Sequence, residues 1–158
     1  MRKNNQEITD WSVLEKILSA ARICRLAMMD GDRPYLLPFN YGYRDRTIYI
    51  HAAPEGKKIE LLRQNPNVAF EVEDGVQIIP GSKACSWATR YRSVVGEGRA
   101  EIITDADEKK SGLEAIMVQH GASEFTDFDE KHLERMVILK ITILSLTGKH
   151  SSNWHHPP

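Results

Sequence analysis

Residues 49–58 read Tyr-Ile-His-Ala-Ala-Pro-Glu-Gly-Lys-Lys, bringing one imidazole and two ammonium groups into a short stretch. An alternating apolar strand ends at His51, a Pro-Glu-Gly turn follows, and Lys57 and Lys58 open a helical pattern. Backbone N–H groups at a helix start, with lysines beside them, suit a phosphate. Gly56 lets a ligand come close to the backbone. His51 lies on the strand just before and is the only histidine at a predicted strand end beside this cationic turn. The layout suits a phosphorylated cofactor with one proton-carrying side chain near it. It also suits an ordinary solvated helix start, although first-turn lysines oppose the helix dipole by roughly a few tenths of a kcal/mol unless an anion binds.

Other residues could serve a planar ligand. Pro38 interrupts an apolar run, Leu36–Phe39, and cannot donate to a strand ladder. It belongs at an edge, at a bulge, or where something other than a strand takes the neighbouring position, leaving backbone groups for a ligand. Trp87, Tyr91 and Trp154 are candidates to cover a ring face, or to fill core and interface. Arg90 and Arg92 share one strand face, with Thr89, Tyr91 and Ser93 on the other. Cys85 has no base beside it and reads as a small packed residue. His120, His132, His150, His155 and His156 fall on helices or in the tail, without a zinc-ligand spacing.

The elements that must position these groups follow from periodicity and punctuation. Asp10 caps a first helix carrying Val13, Leu14, Ile17, Leu18 and Ala21 at helical spacing. Strands are expected at Ile23–Met29, Pro34–Tyr43 and Thr47–Ala53, close enough to pair as an antiparallel meander. A short helix over Gly56–Gln64 ends at Asn65-Pro66. A strand at Val68–Glu73 precedes a long loop, Asp74–Ala88, marked by Gly75, Pro80 and Gly81. The strand Tyr91–Ile103 carries Gly96 and Gly98, which suit a bend or bulge. A helix capped by Thr104 or Asp105 runs to about His120, and a shorter one covers Asp129–Arg135. Met136–Thr147 is the closing strand, before a tail. Six strands with helices at the ends predict a mainly β, antiparallel barrel, closed or partly open. No Gly-x-Gly-x-x-Gly follows a strand, which argues against a Rossmann domain.

The chain has 158 residues, 27% charged and 41% hydrophobic, with a formal net charge of -1. That balance predicts one globular domain over residues 1–150 with a short tail at 151–158, and it lacks the basic excess of a nucleic-acid surface. No long apolar run predicts a membrane span. Two cysteines far apart, Cys24 and Cys85, suit reduced thiols in the cytoplasm.

Four stretches in this order resemble the FMN-binding split barrel of the pyridoxamine 5′-phosphate oxidase-like superfamily, and more closely its nitroimidazole-resistance branch. They are Pro34–Tyr43, Ile48–Lys58, Cys85–Gly98 and Leu146–Lys149. The resemblance implies a homodimer with FMN at the subunit interface. It implies that Leu37, Pro38, Phe39 and Asn40 give the ring backbone hydrogen bonds and packing. It places Ile50 and His51 beneath the ribityl chain, and Gly56, Lys57 and Lys58 at the phosphate. Arg92 and Ser93 would reach the partner's flavin. His51 would act near a small-molecule substrate, with a nicotinamide (NADH or NADPH) as donor and a nitroaromatic as acceptor. Basic residues that hold substrate phosphate in the vitamin B6 oxidases are missing from Leu36–Phe39 and from the C-terminus, so that oxidation is not expected. A non-catalytic flavin or haem carrier on the same barrel is the alternative, with His51 or a tail histidine as the haem ligand.

Overall fold

The computed structural model describes residues 4–122, 128–152 and 154. Asp10 opens α1 (Trp11–Ala20) by accepting the Ser12 N–H at 2.8 Å. Leu14, Ile17 and Leu18 form its buried stripe. The strands are β1 (Glu7–Ile8), β2 (Ile23–Asp30), β3 (Arg33–Asn40), β4 (Gly42–Arg44), β5 (Thr47–Ala52), β6 (Asn67–Ile79), β7 (Ala88–Ile103) and β8 (Val137–His150). The helices α2 (Lys57–Gln64), α3 (Ala106–Gln119) and α4 (Glu130–Glu134) complete the chain. Asp105 caps α3 by accepting from the N–H groups of Asp107 and Glu108. No helix among the described residues is long and apolar enough to cross a membrane.

One antiparallel sheet holds every strand, in the order β3-β2-β6-β7-β8-β5-β4, with β1 paired to β8. Its two ends, β3 and β4, are joined through Tyr41 alone. The sheet must therefore curl until its ends meet, around a core that includes Leu26, Phe70, Ile48, Ile50, Leu139 and Ile141. β3 approaches β5 without pairing to it, so the barrel is split along that line.

Eight strands lie among the described residues, where the sequence suggested six. The expected strand Pro34–Tyr43 divides because Tyr41 turns fully inward and donates its hydroxyl to the Leu18 carbonyl. β1 is too short to show a period and exists through its pairing with Gly148 and Lys149. The expected loop Asp74–Ala88 is largely a hairpin arm, since β6 continues to Ile79 and pairs there with Ala88. Gly75, at φ 63°, takes up a register shift between Asp74 and Gln77 and lets the strand resume. The bend expected near Gly96 and Gly98 is present as a register shift between Glu97 and Gly98.

Two core features generate tests. Gly42 begins β4 against the backbone of α3, and an added Cβ would lie 2.3 Å from the Ala115 carbonyl carbon. Gly42→Ala must push α3 off the sheet, which costs about 2–3 kcal/mol. Thermal unfolding should fall by roughly 5–10 °C for a chain of this size; an unchanged midpoint would mean that α3 is not seated as described. Cys24 is wholly buried in β2, and burial pushes its thiol up to about 12, whereas Cys85 is exposed. At pH 8 the Cys24 thiol is protonated and shielded, hence inert. Ellman's reagent should titrate one thiol in the native protein and the second only after denaturation.

Candidate functional site

The split in the barrel leaves two strand edges facing each other. Among the described residues β3 is hydrogen-bonded only to β2, and β4 covers β5 only from Thr47 to Tyr49. The outer edges of β3 and of Ile50–Ala52 thus keep backbone N–H and C=O groups without a strand partner. A cavity of about 340 Å³ lies between them, lined by Ile23, Pro38, Phe39, Asn40 and His51. Pro38, Phe39, Asn40 and His51, singled out in the sequence, meet there.

Alternation along β3 decides what each residue can offer. Tyr35, Leu37 and Phe39 pack on the core, while Leu36 is 58% exposed and Pro38 and Asn40 are exposed. Leu37 therefore spends its side chain on the core. Ile50 is wholly buried, so its side chain is likewise taken up by the core. His51, the next residue, points the other way and is exposed.

A second group of donors stands at the start of α2. Gly56 adopts φ 103°, and no side chain caps the helix. The N–H groups of Ile59 and Glu60 bond to the Gly56 carbonyl, leaving those of Lys57 and Lys58 at the helix mouth. Nothing lies within 4 Å of a Cβ added at Gly56, so glycine is required there by its backbone angle rather than by space. Lys58 is half-buried and Lys57 exposed. The Lys57 ammonium lies 2.6 Å from Asp30 and 4.8 Å from the centre of the Tyr35 ring. The bond to Asp30 holds Lys57 above the usual lysine range.

Sequence reasoning missed Ile23, Asp30 and Tyr35. Ile23 looked like an ordinary first residue of a strand, and Asp30 like the start of a hairpin turn. The pairing of β2 with β3 sets Ile23 beside Asn40 at the cavity, while Asp30 and Tyr35 meet Lys57 towards the other end of the hairpin. Ile23 also borders a second cavity of about 320 Å³, whose charged lining includes Arg22, Arg25, Glu73 and Asp74. Arg25 pairs there with Glu71 and Glu73, both at 2.9 Å, and burial raises Glu71 while Arg25 opposes the shift.

Other expected residues lie apart from the His51 cavity within this chain. Arg92 pairs with Asp74 and lies 4.5 Å from the centre of the Trp154 ring. Ser93 sits between Glu73 and Lys149 in the sheet. Trp87 is 57% exposed, Tyr91 is tied through its backbone to Ser151, and neither they nor Trp154 lines the cavity. His120 is exposed, His132 lies 2.8 Å from Asp129, and His150 bonds the Ser151 carbonyl. His155 and His156 lie outside the described residues. No group of three metal-ligating side chains gathers among the described residues.

The sequence matches the family model for pyridoxamine 5′-phosphate oxidase over residues 10–150. Among solved structures, the chain is similar to a candidate 5-nitroimidazole antibiotic resistance protein from Bacteroides thetaiotaomicron. The identity is 30%, the TM-score 0.80, and the match covers 91% of this chain and 86% of that one. It is also similar to an FAD-binding protein from Mesorhizobium loti, at 28% identity and TM-score 0.67, over 90% of this chain and 96% of the other. An FAD- and haem-binding protein from Mycobacterium smegmatis shares the fold at 20% identity and TM-score 0.81, over 97% and 77% of the two chains. A search of curated proteins found no match. The family match spans α1 and every strand from β2 to β8, including both edges of the cleft: the chain belongs to the pyridoxamine 5′-phosphate oxidase family and has its split-barrel fold.

Proposed function

We propose that this protein binds FMN in the β3–β5 cleft and works as an oxidoreductase that passes electrons from a nicotinamide donor to a small nitroaromatic acceptor. The observation that carries this reading is the uncapped α2 start with Lys57 and Lys58, set at the end of a cleft walled by two open strand edges. The residues fit the cofactor chemically. A phosphate monoester needs N–H donors and cations, which the α2 mouth supplies. The isoalloxazine needs hydrogen bonds along its polar edge and apolar cover, which the β3 backbone from Leu37 to Asn40 and the side chains of Ile23 and Phe39 supply. Similarity to the nitroimidazole-resistance protein and to the FAD-binding protein supports a flavin and favours a nitro acceptor.

FMN supplies the two-electron chemistry when bound. The protein binds and orients it, and the split edges hold water away from one side of the ring. His51, exposed at the cavity wall, holds or moves a proton for the acceptor. The working unit is a homodimer with FMN at the subunit interface. Exposed Leu36, Val95 and Leu144 offer apolar surface for it, and Arg92 and Ser93 of one subunit face the flavin of the other. Two unbridged cysteines suit the cytoplasm.

The absorption spectrum of the purified protein should show the blue-region flavin bands. A Soret band in place of them would make haem the ligand, and neither band in protein reconstituted with FMN and freed of unbound ligand would end both readings. Lys57→Ala with Lys58→Ala should weaken FMN binding by about 30- to 100-fold at moderate salt while leaving riboflavin binding unchanged. Unchanged FMN affinity would remove the phosphate from α2. The FMN-loaded protein should oxidise NADH or NADPH in the presence of a nitroimidazole. His51→Asn should keep FMN affinity and lower that rate by about a hundredfold; an undiminished rate would leave His51 without a proton-transfer role.

A further inference from the structure

Lys57 is engaged within the fold. Its ammonium lies 2.6 Å from an Asp30 carboxylate oxygen and 4.8 Å from the centre of the Tyr35 ring. Asp30 ends β2 at the tight turn into β3, and Tyr35 lies on β3 itself. Lys57 opens α2, which follows β5. The lysine therefore reaches from the β5 side of the split to the β2–β3 side, across the end of the cleft where the phosphate donors stand. The same cation cannot give its full charge to Asp30 and to a phosphate. A phosphate at the α2 mouth would also meet a carboxylate already in place, with the charge of Lys57 partly neutralised.

We infer that Asp30 is a built-in competitor for the phosphate, holding Lys57 as a latch across the cleft that a phosphorylated ligand must open. The inference rests on the flavin reading above. Asp30 acts on the ligand through Lys57, as a positioning residue, and sets how readily the nucleotide exchanges. Tyr35 contributes a neutral face on which the ammonium rests while it changes partners. The pair is half exposed, with side-chain exposures of 51% and 42%, so it contributes little to folding and can open without loss of the barrel. Its effect falls on binding, where the competing anion arrives at the same cation.

The test compares FMN with riboflavin, which lacks the phosphate, in wild type and in Asp30→Asn, a residue that keeps the turn. Asp30→Asn should tighten FMN by about three- to fivefold at low salt and leave riboflavin affinity unchanged. In a Lys57→Ala background the same change should lose most of its effect, because the latch is already gone. Weaker or unchanged FMN affinity in Asp30→Asn would overturn the inference, as would equal tightening of FMN and riboflavin. A full effect surviving in Lys57→Ala would also overturn it, since Asp30 would then act without the lysine. If wild type binds FMN no better than riboflavin, the phosphate assignment to α2 fails, and the latch fails with it. Thermal unfolding of Asp30→Asn should match wild type, which separates an effect on the site from one on the fold.

Discussion

A buried tyrosine fixes where the sheet tears. Tyr41 has no exposed surface, and its hydroxyl must find a partner in the core. It finds the Leu18 carbonyl near the end of α1. Gln119, near the end of α3, reaches into the same corner and donates to the carbonyls of Leu18 and Ala21, both at 2.8 Å. Its side-chain oxygen takes the Tyr43 N–H, and its backbone carbonyl takes a hydrogen bond from Arg22. These bonds hold the chain at the one residue between β3 and β4. β4 is thereby committed to β5 and to the face of α3, while β3 is left to follow β2. The open line between β3 and β5 follows from that division. A continuous strand through position 41 would pair further along β5 and close the cleft.

The cleft inherits its character from this origin. Its walls are strand edges, and its far end is a helix start, so most of its polar groups belong to the backbone. Backbone groups are oriented by the sheet and need no side-chain ordering when a ligand binds. The core side of each wall is filled by Leu37, Phe39 and Ile50, which keep the edges straight and apart. The ionic groups sit at the ends, where water can reach them and the desolvation penalty of burying charge is avoided.

What was legible in the sequence was what short-range chemistry dictates. Asp10 and Asp105 announce their helices because capping acts over two or three residues. The His51-to-Lys58 stretch announces a strand, a turn and a helix for the same reason. The hairpin arm was not legible, because Gly75, Pro80 and Gly81 carry the composition of a loop. Whether a strand resumes after Gly75 depends on a partner, Ala88 to Arg90, that local patterning cannot supply. Asp30 was hidden for a related reason. Its partner stands on a different element, and an aspartate before Gly31 reads as turn chemistry, which it also performs. The Lys57–Lys58 pair was legible in the sequence, and the Asp30 carboxylate that pairs with Lys57 was not.

A site built chiefly from backbone leaves few side chains to choose what reacts. Ile23, Pro38, Asn40 and His51 are the side chains at the cavity that the core does not claim. Ile23 is 38% exposed and lines both cavities. Asn40 and His51 are polar and sit at the wall on opposite strands, able to offer a donor and an acceptor to a flat molecule lying in the split. None of these side chains lies on α2. In the proposed flavin reading, anchoring and selection are carried by separate parts of the fold: the phosphate end by the α2 start with Lys57, the reacting end by the side chains at the cavity. The barrel would then keep its cofactor geometry while the identity of the acceptor changes.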